Sequence, residues 1–242
     1  MIDPSTSATR QGERSGAMLA QTQLDALVVT VELTLISIIQ GVALSFLAGE
    51  GRGVVVGLRL EFWPYVATGL MTILLFWSRS VVHTLTVIRW PLEFVHNFMY
   101  VACTLVQAVL FTQLASPVGW YGLGAGLAVL TWALFVLDLR MIRKRIQDSP
   151  GATADRLYRL VEAEQLRNIR MVMPAIVVFS LAAALAVWLW PEAMLQRRGH
   201  VGIALAQMVG TAGYLTYTVR FFGRVTPLLV GTRDEWRDDV IG

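Results

Sequence analysis

Apolar residues run along this chain in six long stretches, and polar ones gather between them. The stretches cover about residues 24–48, 62–88, 92–115, 118–139, 171–190 and 201–222. A helix needs roughly 20 apolar residues to cross a bilayer core of about 30 Å. The pattern therefore predicts an all-α integral membrane protein, a bundle of about six transmembrane helices. Its breaks are chemically marked. Gly49 and Gly51-Arg52-Gly53 are expected to end the first run, and Arg79 and His83 interrupt the second late in its course. Trp90-Pro91 precedes the third run, with Pro91 suited to a first helical turn, where its missing N–H is not needed. Ser116-Pro117 links the third and fourth runs, and Pro191 stops the fifth.

Only one polar stretch is long, Arg140 to Arg170. Within it, Leu157, Leu160, Val161 and Ile169 recur at helical spacing among charges, which predicts an amphipathic cytoplasmic helix between helices four and five. The chain thus divides into a polar N-terminal segment (1–23), helices one to four (24–139), a basic linker (140–170), helices five and six (171–222) and a C-terminal tail (223–242). The first segment lacks the short apolar core of a signal peptide, so the first run is expected to persist as a mature helix.

With 55% hydrophobic and 15% charged residues, the chain is too apolar for an ordinary soluble domain. Its net charge of +3 does not call for nucleic acid, because the basic residues sit between apolar runs, where orientation signals belong. With the N-terminus in the cytoplasm, sixteen of the 20 basic residues fall on that side, and only Arg52, Arg59, Arg197 and Arg198 on the other. Both termini are therefore expected inside, in a plasma (inner) membrane. Trp63, Tyr65, Trp90, Trp120, Tyr121, Trp188 and Trp190 lie near run ends and are expected as interfacial anchors. Cys103, the single cysteine, cannot form an internal disulfide.

Ionisable groups inside hydrocarbon cost roughly 2.5–3.5 kcal/mol on insertion scales, so each needs a partner or a wet cavity. Asp25 and Glu32 are seven residues apart and share a helix face, with Gln40 further along and Thr30, Thr34 and Ser37 between. This face suits an ion path; alternatively, Glu32 pairs with Arg79 or stays protonated. The second and third runs carry Arg79, His83, Glu93, His96 and Asn97 toward one membrane side. Those residues suit a polar network that locks the helices, the mouth of a pore, or a haem clamped by His83 and His96. Arg79 cannot discharge by losing its proton, and is expected to pair with Asp25 or Glu93. Glu93-x-x-His96 has the spacing used in di-iron bundles, but those need a second such pair, so no metal site is expected. Gly122-x-x-x-Gly126, Gly210 and Gly213 permit close helix contact within or between subunits. No catalytic signature is present, and the only lysine, Lys144, lies in the basic linker, which excludes a retinal Schiff base in the bundle. No catalytic residue and no cofactor are expected.

The layout resembles the non-P-loop potassium channels with an R-x-x-x-F-S-D-G motif, the lysosomal potassium channel family and its bacterial relatives. Asp25 opens the first run, Trp77 precedes Arg79 and His83, Arg89 lies in the following turn, and Asn97 begins the third run. Around Asp25 the residues are Gln23-Leu24-Asp25-Ala26, with Leu19 in the arginine's place. The resemblance implies an oligomeric cation channel whose first helix lines a central pore. From a different class comes the alternative of a non-catalytic membrane subunit or scaffold in a larger complex. Electron transfer through haem is the third. The expected partners are the lipid bilayer and either further copies of the chain or other membrane proteins.

Overall fold

A computed structural model of the chain describes residues 4–88, 94–147 and 151–241, with side chains between residues 23 and 232 of those ranges. The described residues form helices and turns, with no strand among them. The helices are α1 (Pro4–Val56), α2 (Trp63–Thr86), α3 (Phe94–Phe111), α4 (Pro117–Gln147), α5 (Ala152–Arg167), α6 (Met173–Leu189) and α7 (Gly199–Ile241). Among the described residues, five helical segments are long and apolar enough to cross a membrane: Gln23–Val56, Leu60–Thr86, Phe94–Phe111, Pro117–Gln147 and Ala152–Leu189. Their outward faces carry Leu27, Ile38, Phe98, Leu105, Val129, Val178 and many other exposed apolar side chains. An apolar surface this extensive suits lipid and not water.

Several ends differ from those the sequence suggests. Gly49, Gly51 and Gly53 do not end the first helix, which continues to Val56. Each glycine costs the helix about 1 kcal/mol relative to alanine, but Leu47 and Val54 are buried on the same rod, and that packing wins. Closure comes at Leu58, whose φ is +48°. Its N–H donates to the Val55 carbonyl (3.2 Å) and that of Arg59 to the Val54 carbonyl (3.0 Å), the paired bonds of a Schellman cap. At the other extreme, α4 runs past Leu139 to Gln147 and α7 past Phe222 to Ile241, with Pro227 inside it. The Trp90-Pro91 boundary lies outside the described residues.

Helix α5 forms where the amphipathic pattern placed it, and a π-helical turn, Asn168–Val172, carries it directly into α6. Its buried face is mixed: Leu157, Tyr158 and Val161 are joined by Glu164 and Gln165. In the bundle, α2 sits between α1 and α7, and α4 between α3 and α6. Helix α1 also packs on α3, while α5 bridges α4 and α7. At one end, the α1–α2, α3–α4 and α6–α7 connections meet around a small recess lined by Glu61, Pro117, Leu195 and His200. There Arg198 pairs with Glu61 at 3.3 Å.

The expected aromatic anchors divide. Trp63, Trp188 and Trp190 are exposed at helix ends. Tyr65, Trp120 and Tyr121 are instead fully buried core residues. Tyr65 meets Trp120 edge to face, with ring centroids 5.4 Å apart, so position near a run end does not make them interfacial. Trp90 lies outside the described residues.

Candidate functional site

Two apolar clusters stack along the bundle. The larger includes Ile73 of α2, Tyr100 of α3 and Leu134 of α4. The smaller includes Val82 of α2, Ile142 of α4, Val161 of α5 and Phe221 of α7. Between them, one to two turns along α2 and α4, lie Arg79, His83 and Asp138. An ionisable layer sealed on both sides by hydrocarbon persists only if its members satisfy one another.

Helix α5 supplies what Arg79 needs. The Arg79 guanidinium donates to Gln165 Oε1 at 2.8 Å and lies 3.6 Å from Glu164 Oε1. It also stands over the Phe135 ring at 5.0 Å. Glu164, itself buried, accepts from Arg167 (3.0 Å), Asn168 (3.2 Å) and the Tyr217 hydroxyl (2.5 Å). Asn168 Oδ1 in turn accepts from Tyr214 at 3.1 Å. The expected partners of Arg79, Asp25 and Glu93, lie on the first and third runs. The structure shows a counter-charge on α5, because the face of α5 that carries Leu157 and Val161 inward brings Glu164 with it. Glu93 lies outside the described residues.

Gln165 joins this group to a second one. Its Nε2 donates to the Phe135 carbonyl at 2.9 Å and to Asp138 Oδ2 at 3.4 Å. Asp138 Oδ1 lies 3.2 Å from His96 Nε2 and 3.7 Å from His83 Nε2. The two imidazole centroids are 4.9 Å apart, with the ring planes 28° from parallel. Rings this close leave no room between them for a haem iron held by one ring on each face. Behind His96, Nδ1 is 3.3 Å from Asn97 Oδ1, and Asn97 Nδ2 donates to Glu32 Oε1 at 2.7 Å. Five polar residues expected on the first three runs, Glu32, Arg79, His83, His96 and Asn97, thus join one chain with Asp138 of α4 and with Glu164 and Gln165 of α5.

The polar face expected on α1 splits in two. Glu32 and Gln40 point inward and are buried, and Gln40 donates to the Tyr100 hydroxyl (2.9 Å) and to Thr104 (3.4 Å). Thr30, Thr34 and Ser37 point outward, their hydroxyls returned to the α1 backbone at 2.8–2.9 Å. Asp25 is partly buried near the start of that helix. Gly122 and Gly126 face outward with open space about them, as does Gly213, whereas Gly210 borders the cavity described below and Gly124 lies toward Ser180 of α6.

Beside the ionisable layer opens a cavity of about 710 Å³. Its walls are mostly apolar, with Leu75, Phe76, Leu127, Ile176 and Phe179 prominent, and its polar end is formed by Arg79, His83, His96, Asp138, Glu164 and Gln165. Helices α6 and α7 both line it yet scarcely touch one another, so the wall is weakest between them.

Three members of this site escaped the sequence reading. Asp138 is the one acidic residue within the fourth apolar run, and an ionisable group in such a run is a functional candidate by default. That signal was available. Glu164 and Gln165 gave none, since charged and amide residues are ordinary on an amphipathic helix. Comparison with known protein families, with characterised proteins and with solved structures finds no match to this chain.

Proposed function

We propose that the chain crosses the bilayer six times and takes an apolar or amphipathic ligand from the membrane into its central cavity. The sixth crossing is α7. It packs along α2 and lines the cavity opposite α4 and α6, although Gln207, Thr211, Thr216 and Thr218 lower its hydropathy. Six crossings put both termini on one side, and the sixteen-to-four division of basic residues makes that side cytoplasmic. α5 then lies at the inner face.

The cavity carries the functional reading. Its volume falls within the roughly 300–1,000 Å³ of small-molecule sites, and a mostly apolar lining with convergent polar groups at one end is their usual chemistry. An apolar body lies along Leu127, Ile176 and Phe179 while a polar head reaches Arg79 and the histidines. Entry runs between α6 and α7. Mass spectrometry of the protein released from detergent tests this reading. A retained lipid or other apolar molecule should be lost from Gly124→Phe, which fills the cavity, and kept by Gly122→Phe, which faces outward. Identical retention in both variants and the wild type sinks the reading.

An oligomeric cation pore lined by α1 is the second reading, carried by the channel resemblance and favoured by the outward hydroxyls of Thr30, Thr34 and Ser37. Glu32 and Gln40 are engaged inside the bundle, so the lining would be hydroxyl and apolar. In reconstituted vesicles, ion flux that changes with Thr34→Val and not with the cavity-filling variant selects the pore.

A further inference from the structure

The contact between His96 and Asp138 contains an electrostatic contradiction. Glu32 takes the Asn97 amide nitrogen as its donor, which turns Asn97 Oδ1 toward His96. Oδ1 only accepts, so His96 Nδ1 must carry the ring proton, and in the neutral imidazole Nε2 then offers a lone pair. That lone pair faces Asp138 Oδ1 at 3.2 Å. Two acceptors stand this close only with a cation between them, either a second proton on His96 or a metal ion.

His83 makes the contradiction worse. Its Nε2 lies 3.7 Å from the same carboxylate oxygen, and neither His83 Nε2 nor Asp138 Oδ1, both buried, has a hydrogen-bond partner among the described residues. Asp138 is only 5% exposed. The three ligand atoms lie within 4.8 Å of one another. Atoms bound to one metal ion at about 2.1 Å with tetrahedral angles stand roughly 3.4 Å apart, and the two distances to Asp138 bracket that value.

We propose that His83 Nε2, His96 Nε2 and Asp138 Oδ1 form a site for a divalent first-row transition metal whose remaining positions open into the cavity. The di-iron spacing at Glu93 and His96 gives no such site, which is why none is expected from the sequence. The ligands instead come singly from α2, α3 and α4. Two imidazoles and one carboxylate suit Zn(II), Fe(II) or Co(II), and three protein ligands leave positions free for water or for the head of a ligand. The supporting shell is also present. Asn97, backed by Glu32, sets the tautomer and orientation of His96, and Gln165 holds the second oxygen of Asp138. The site stands independently of the cavity's occupant, since it needs only these three side chains.

The test uses the full chain without a histidine tag, purified in detergent and stripped by a chelator. Titration with Co(II) should give one ion per chain with visible ligand-field absorption, and Zn(II) should displace it. Asp138→Asn or His96→Gln should weaken binding at least about a hundredfold, and Asn97→Ala about ten- to a hundredfold. Glu162→Gln, away from the site, should leave binding unchanged. If the wild type binds no cobalt, the pair is an imidazolium and a carboxylate, and the proposal is overturned. Cobalt binding that survives Asp138→Asn and His96→Gln overturns it equally. Should a variant fail to fold, the wild-type cobalt form still decides. Its proton NMR spectrum must show hyperfine-shifted resonances from two imidazoles; one set or none refutes the site.

Discussion

The bundle buries polar groups at two levels, and they are satisfied by different means. Near one end, Tyr65 bonds His200 Nδ1 at 3.0 Å and Trp120 Nε1 donates to Gln207 Oε1 at 2.9 Å. Each is a bond between two side chains without an ion pair, and large aromatic surfaces are buried around them. Fourteen residues along α2, about 21 Å at 1.5 Å per residue, the Arg79 layer is ionic and multiply connected. Glu164 alone gathers Arg79, Arg167, Asn168 and Tyr217. The aromatic level resembles an ordinary core with polar tips. The ionic level depends on α5, which folds inward from the polar linker, so its integrity is a property of the whole bundle. Charges that are costly to bury, gathered beside a cavity, make the second level the one on which the proposed function rests.

The largest effect should come from breaking the ionic level. Arg79→Leu removes a guanidinium from a buried carboxylate and should cost about 3 kcal/mol, seen as a fall in thermal midpoint and faster hydrogen exchange in α5. Adding Glu164→Gln should restore part of the loss, since the remaining amide carries no charge. Wild-type stability for Arg79→Leu would mean that the layer does not hold α5.

At the aromatic level, Tyr65→Phe keeps the ring and removes one bond, which should cost about 1–2 kcal/mol because His200 Nδ1 loses its partner. No rescue through α5 is expected there, and exchange in α5 should stay unchanged. Gln40→Leu on α1 tests an intermediate case. Two neutral partners, Tyr100 and Thr104, lose a donor, for an expected cost near 1 kcal/mol. The smallest effect belongs to Arg143→Ala. Its ion pair with Glu162 at 2.8 Å leaves Arg143 more than half exposed, and such pairs contribute less than about 1 kcal/mol. A loss as large as that of Arg79→Leu would show that exposure in the isolated chain misrepresents its surroundings, as a docked partner would cause.

Legibility in the sequence followed the same division. Apolar runs, the amphipathic α5 and the concentration of Arg79, His83, His96 and Asn97 on one side were readable, because periodicity and run length depend only on local order. The end of α1 was misplaced, since the burial of Leu47 and Val54 outweighs three glycines. Tyr65, Trp120 and Tyr121 were misassigned to the interface, because the same amphipathic side chains serve both in headgroups and in a hydrogen-bonded core.

What the sequence by itself determined is a membrane-suited helical chain with its basic residues gathered between apolar runs, because hydrocarbon forces backbone bonds into helices and excludes charge run by run. Which helices touch was decided only by the tertiary structure. That contact pattern turns Glu32 inward and Thr34 outward on one helix, sets Glu164 rather than a neighbour in sequence against Arg79, and brings His83, His96 and Asp138 from three helices to one point. The physical reason is that a buried charge is satisfied by whatever lies beside it in space, and nothing in the spacing along a chain specifies that neighbour.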